Sequence, residues 1–292
     1  MAPRITGFDY QRVPVAEGVA VNVAVGGSGR PIVLLHGFPQ THLMWRHVAA
    51  DLAADHTVIV PDLRGYGDSD KPADHDGQTY AKRAMAADVV AVAKAFGHER
   101  FALAGHDRGA LVAIRAGLDH PDAVTHLASL DVLPTLDTWE VMRGASAAVG
   151  FHLFLMAQRP GLPELMIGNS ADAFFGHFLD VWTRDQDAIP ADVRAAYLAA
   201  SREAVTSIVA DYRASASVDI EHDTADREAG NRLRMPVTVL QQDWGAALGF
   251  DAEALWRAWA PDLVHRTVSC GHFMAEEAPA DVVKALRDLM TR

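Results

Sequence analysis

The hydrophobic pattern changes character twice along the chain. Short apolar runs alternate with amphipathic stretches up to Leu130, give way to an aromatic- and Met-rich segment from Val132 to Met235, and return at Pro236. Phe8–Val15 and Val19–Val25 alternate polar and apolar positions and predict two strands, followed by the turn Gly26-Gly27-Ser28-Gly29. Pro31–Leu35, Thr57–Pro61, Arg100–Ala104, Val124–Leu130, Pro236–Gln241 and Leu263–Ser269 are the short apolar runs expected of strands covered on both faces. Between them, Leu43–Leu52, Tyr80–Phe96, Ala110–Leu118, Asp251–Trp259 and Pro279–Met290 carry helical spacing. Strands alternating with helices predict an α/β fold, with a mostly parallel sheet and helices on both faces. The middle segment predicts helices at Phe151–Ala157, Ala171–Trp182 and Ala191–Ala214. Because the strand pattern resumes at Pro236, an inserted helical cap over residues 132–235 accounts for it better than a separate domain. The core is then residues 1–131 and 236–292.

Composition narrows this further. At 292 residues and 50% hydrophobic, the chain can form one large domain with an insertion. A formal charge of −12 with no basic stripe argues against nucleic acid. It also means that a pocket for an anion must supply its own positive charge. The single cysteine, Cys270, allows no internal disulfide and reads as a packed residue rather than a reactive thiol. Met1–Tyr10 lacks a signal-peptide core, and no run of about 20 apolar residues spans a membrane. A cytoplasmic protein is expected.

Candidate chemistry centres on Gly105-His106-Asp107-Arg108-Gly109, between a strand and a helix. Glycines on both sides of a central residue fit a sharp strand–turn–helix elbow that exposes that residue above the sheet. The central residue here is aspartate, an anion that attacks a saturated carbon directly and gives an alkyl ester, which a general base must then help water to cleave. The competing reading is an aspartate that merely caps the next helix. Placement favours chemistry: His36-Gly37-Phe38, Asp107 and Asp131 all fall at carboxyl ends of strands, where active sites of such folds lie. Phe38 N–H and Arg108 N–H are candidate donors of an anion hole. His272, in Gly271-His272-Phe273, comes last in the order nucleophile, acid, histidine, and is the candidate base. The loop Asp62–Ser69 reads as a structural brace.

Four stretches, His36-Gly37-Phe38-Pro39, Gly105 to Ala110, Leu130 to Thr135 and Gly271-His272-Phe273, together resemble the α/β-hydrolase-fold haloacetate (fluoroacetate) dehalogenases. The likeness extends into the cap at Phe151–Gln158 and Asp211–Ala214. It implies that Asp107 displaces halide from the carbon beside a carboxylate, that His272 oriented by Asp131 activates water, and that Arg108 grips the carboxylate. His152 and Tyr212 match positions that hydrogen-bond the leaving halide. For the acid, Asp243 and Asp251 compete with Asp131, although Asp251 also reads as a helix N-cap. No cofactor or metal is implied. The expected partner is a small halogenated carboxylic acid, with a homodimer as one option for assembly, and neither nucleic acid nor membrane.

Two positions depart from the pattern. Leu111 stands where the family has a second carboxylate-binding arginine, and Arg115 is too far along the helix to replace it. Leu153 stands where the family has a tryptophan that donates to the halide. Each lost charge-assisted bond is worth about 1.5–3 kcal/mol. Fluoride depends most on such donors, so weak fluoroacetate activity and a bulkier or more apolar substrate are expected. Epoxide hydrolysis through the same aspartyl ester is the alternative, with Tyr212 and Tyr197 as candidate proton donors. A non-catalytic binding role ranks last, since no member of the apparent triad is missing.

Overall fold

The computed structural model describes residues 3–242 and 249–292, with the backbone alone at 145 and 146. The strands are β1 (Asp9–Ala16), β2 (Val19–Gly26), β3 (Arg30–Leu35), β4 (His56–Pro61), β5 (Phe101–His106), β6 (Val124–Leu130), β7 (Val237–Gln241) and β8 (Leu263–Thr267). They form one sheet in the order β1-β2-β4-β3-β5-β6-β7-β8. β1 and β2 pair antiparallel, β2 meets β4 antiparallel, and every pairing from β4 to β8 is parallel. From β3 to β7 the apolar runs are largely buried on both faces, successive side chains pointing into opposite cores. β8, expected to be covered likewise, is the edge strand and leaves Arg266 and Thr267 exposed. Val33 and Leu35 of β3 join one core cluster with Ile59 and Leu103, whereas Ile32 and Leu34 join the other with Val58, Val60 and Ala104.

Helices of the core are α1 (Arg46–Leu52), α2 (Lys82–Ala95) and α3 (Arg108–Asp119). Thr41 begins the first of these regions: its side chain caps a 3-10 turn at His42–Trp45, which the sequence pattern merges with α1. The segment between β6 and β7 holds α4 (Thr135–Val141), α5 (Phe151–Met156), α6 (Leu162–Gly168), α7 (Ala171–Val181), α8 (Ala191–Glu203), α9 (Val205–Ser215) and α10 (Val218–Ala229). After β7 come α11 (Ala252–Arg257), α12 (Met274–Glu277) and α13 (Pro279–Leu289). Among the described residues no helix is long and apolar enough to cross a membrane.

The expected Ala191–Ala214 helix is two helices, broken at Ala204. The segment also contains α4, α6 and α10, which the apolar pattern does not announce. For α10 the reason is chemical. Its buried face is Val218, Asp219, Asp223 and Asp226, carboxylates at helical spacing where a pattern reader looks for leucines. Asp223 and Asp226 meet the guanidinium of Arg115 at 2.8 and 2.6 Å, and Asp219 accepts from the backbone N–H of Lys82 at 2.8 Å. This part of the segment therefore docks on the core through ions.

The Asp62–Ser69 loop is the brace its composition implies. Buried Asp62 accepts from the Asn22 side chain and the His42 backbone N–H, both at 2.9 Å. Arg64 is bidentate to Asp88 of α2 at 2.8 and 2.5 Å.

Candidate active site

The elbow between β5 and α3 forces Asp107 into a left-handed backbone conformation, φ 47° and ψ −116°. Such angles are strained for a non-glycine residue and cluster at functional sites. The turn closes only because its neighbours lack side chains. A Cβ on Gly105 would stand 2.3 Å from the Gly109 carbonyl oxygen, and one on Gly109 would stand 2.4 Å from that of His36. Although Asp107 occupies the N-cap position of α3, its side chain makes no capping bond. The capping reading of Gly-x-Asp-x-Gly is thereby excluded. Instead Oδ1 accepts the backbone N–H of Phe38 at 2.9 Å. Arg108 is the first residue of α3, and N–H groups at a helix start have no partner within the helix.

Across the turn, His272 Nδ1 lies 2.6 Å from Asp131 Oδ2. Its other nitrogen, Nε2, is buried without a hydrogen-bond partner and stands 3.9 Å from Asp107 Oδ2. Asp131, also at positive φ (55°), additionally accepts the Gln242 backbone N–H at 3.0 Å and its side-chain amide at 2.8 Å. Of the competing acids, Asp251 caps α11 by accepting from Ala254 N–H at 3.0 Å, and Asp243 lies outside the described residues. Buried His106 reaches the His272 backbone carbonyl at 2.8 Å through Nε2 and packs its ring 4.5 Å from the His272 ring, which holds the loop in place.

Burial pulls the His272 pKa down, but the bond to Asp131 and the charges of Asp131 and Asp107 outweigh it, so the net shift is upward. The protonated ring is thus stabilised relative to a free imidazole. Asp131→Asn removes the largest raising contribution, and His272 should then titrate below its wild-type midpoint. Histidine NMR across a range of about pH 5–9 reads this directly; an unchanged midpoint would contradict the pairing.

Asp107, Asp131 and His272 open on a cavity of about 320 Å³, which His152, Leu153, Trp182 and Tyr212 of the helical segment also line. His152 and Tyr212 pack around Phe38, at ring separations of 5.9 and 5.3 Å. Tyr212 Oη and His152 Nδ1 are buried without partners. Burial lowers the His152 pKa to about 3, so the ring is neutral, and burial followed by the charge of Asp107 raises Tyr212 well above its usual range. Both remain donors of neutral hydrogen bonds.

Arg108 also lines the cavity, but its guanidinium is committed in a way the sequence pattern does not reveal. Nε and Nη2 each reach a carboxylate oxygen of Asp211 at 2.9 Å, Nη2 also meets Ser215 Oγ at 2.6 Å, and Nη1 takes part in none of these bonds. Asp211 further accepts from Tyr66 Oη at 2.6 Å and from Lys82, which in turn lies 3.5 Å from Asp219. Two cations and two carboxylates thus balance beneath the site. Arg115 is spent on Asp119, Asp223 and Asp226 and does not line the cavity, while Leu111 and Leu153 do. Tyr197 is absent from the lining as well; its hydroxyl donates to Glu276 at 2.5 Å. Cys270 is inert, its thiol pushed by burial up to about 12.

Sequence reasoning missed Asp211, Gln242, Trp139 and Trp182 as neighbours of the site. Asp211 and Trp182 sit on or just after helices of the segment whose register is unreadable without the fold. Gln242 had a signal, since it directly follows β7 at the carboxyl edge.

Residues 30–279 match the family model of the alpha/beta hydrolase fold. The chain is 35% identical to a fluoroacetate dehalogenase of Burkholderia sp. over 98% of this chain and 94% of that protein. It is 32% identical to a soluble epoxide hydrolase of Corynebacterium sp. strain C12, over 91% of this chain and 92% of that one. Among solved structures, a provisionally assigned alpha/beta hydrolase from Nostoc sp. PCC 7120 superposes with a TM-score of 0.95 at 37% identity, covering 99% of this chain and all of that one.

Proposed function

The chain belongs to the α/β-hydrolase fold family, on its haloacetate dehalogenase-like side, and from that premise we propose that it hydrolyses 2-haloacids through an ester on Asp107. The observation that carries this reading is the pair of atoms His272 Nε2 and Asp107 Oδ2, 3.9 Å apart, the first buried and unpartnered. That distance is too long for a direct hydrogen bond and suits a water between them.

In the first step Asp107 Oδ2 attacks carbon 2 of the acid. A C–O bond forms, the carbon–halogen bond breaks, and halide leaves with the bonding pair toward Tyr212 Oη and His152. Arg108 Nη1 faces the substrate carboxylate. In the second step water attacks Asp107 Cγ and gives its proton to His272 Nε2, which Asp131 and Gln242 keep oriented. Oδ1 carries the developing negative charge, where the Phe38 N–H already donates. On collapse the bond from Cγ to the substrate oxygen breaks, that oxygen takes the proton held by His272 to give the 2-hydroxyacid, and the regenerated Asp107 carboxyl loses its proton to solvent. The net reaction consumes one water and yields hydroxyacid, halide and a proton. Helices 132–235 act as the cap that excludes bulk water.

Epoxide opening fits the donors less well. The alkoxide that leaves an epoxide must be protonated, whereas halide needs only hydrogen bonds. A single tyrosine faces the cavity among its described lining residues, with its pKa raised, and Tyr197 is turned toward Glu276.

The test is product analysis with (S)-2-chloropropionate, chloroacetate, fluoroacetate and styrene oxide. Chloride release, weak fluoride release and inversion at carbon 2 to the (R)-hydroxyacid are expected, since the ester is cleaved at the enzyme's carbonyl and the substrate centre inverts once. Diol from styrene oxide with no halide from any acid would overturn the reading in favour of an epoxide hydrolase.

A further inference from the structure

The cavity is large and apolar for the smallest 2-haloacids. By the share of volume a water occupies in the liquid, about 30 Å³, it would hold roughly ten waters. A haloacetate, a handful of heavy atoms, leaves most of it unfilled. The cavity's lining is mostly apolar, Leu111, Val132, Leu133, Met142, Leu153 and Trp139, with Thr135, Thr138 and Ser215 as polar exceptions. Water held there has few polar partners, so an apolar group gains by displacing it.

Charge points the same way. Arg108 is the one Lys or Arg among the described residues that line the cavity, and its Nε and Nη2 are already bound to Asp211. Leu111 lies three residues on, on the same helix face, and Leu153 directly follows His152 in α5. An apolar wall therefore stands beside the single carboxylate anchor and beside a halide donor. The wall continues outward. Val149 both lines the cavity and is 51% exposed, and Phe154 of α5, itself partly exposed, packs its ring 5.3 Å from that of Trp139.

We infer that the site takes 2-haloacids with an extended apolar substituent on carbon 2, such as medium-chain 2-chloroalkanoates, anchored by Arg108 alone and with the chain laid along Leu111 and Leu153. This rests on the aspartyl-ester reading above and adds the substrate class. Leu111 is then a specificity-determining residue.

The experiment is kcat/KM across chloroacetate, 2-chloropropionate, 2-chlorobutanoate and 2-chlorohexanoate, read by chloride release. Burying each added methylene should raise kcat/KM about fourfold until the cavity is full. Leu111→Arg should reverse the order toward chloroacetate. Leu111→Ala, which adds room without charge, should move the optimum to longer chains, so the inference stays testable if the arginine variant fails to fold. A flat or falling series in the wild type overturns the substrate class. His272→Ala incubated with the same acids separates the two layers. A covalent mass gain with chloroacetate leaves the ester reading standing when the series fails, and no gain with any acid overturns both.

Discussion

Replacing Asp107 with alanine is expected to lower halide release by at least about 10⁴-fold, the scale seen when a covalent nucleophile is removed. The loss follows from its single position. Asp107 is the acidic residue at the elbow whose Oδ1 is fixed by the Phe38 N–H, and Asp131, the other acid of the site, is occupied by His272 and Gln242. The substitution should spare the fold. The side chain makes no capping bond to α3, and alanine keeps the Cβ that already tolerates φ 47°. A melting temperature within a few degrees of wild type together with abolished turnover is the expected pair of results. Residual activity within about tenfold of wild type would mean that another group attacks.

His272→Ala is expected to have the next largest effect, and one of a different kind. Turnover should fall by about 10²–10⁴, the usual contribution of a positioned base, while attack by Asp107 continues. The protein should then gain the mass of the acid less that of the hydrogen halide. A pH dependence accompanies this. His272 must be neutral to accept a proton from water, so ester decay is lost as pH falls through its pKa. In the free protein that pKa is raised, partly by the charge of Asp107. Esterification removes that charge, so the acid limb of ester decay in single-turnover experiments should lie at lower pH than the His272 midpoint found by NMR in the free protein. Coincident midpoints would show that Asp107 keeps its charge throughout, which no ester mechanism allows.

Much of the fold and of the site is legible in the amino-acid sequence, for physical reasons. The strands of a doubly covered parallel sheet are short apolar runs, and residues at their carboxyl ends are brought together whatever the loops do. Hence His36–Phe38, Asp107 and Asp131 group together by their places in the sequence alone. Polar packing is not legible. The carboxylates of α10 look like a solvated face until Arg115 and Lys82 are seen beneath them, and Arg108 looks free until Asp211, far along the chain, is brought against it. Pairings between charges distant in sequence leave no periodic trace. The size of the cavity is likewise only hinted at by Leu111 and Leu153, because volume depends on how the helical segment sits.

Central to the proposed reaction is that substrate and protein become one covalent molecule through Asp107. A single turnover of excess enzyme with 2-chloropropionate in ¹⁸O-water tests this most directly. Water's oxygen should enter the Asp107 carboxylate, read as a mass increment on the peptide containing Asp107, while the first lactate formed carries unlabelled oxygen from the aspartate. Labelled lactate with an unlabelled Asp107 peptide would mean that water attacks the substrate directly, and would contradict the aspartyl-ester mechanism.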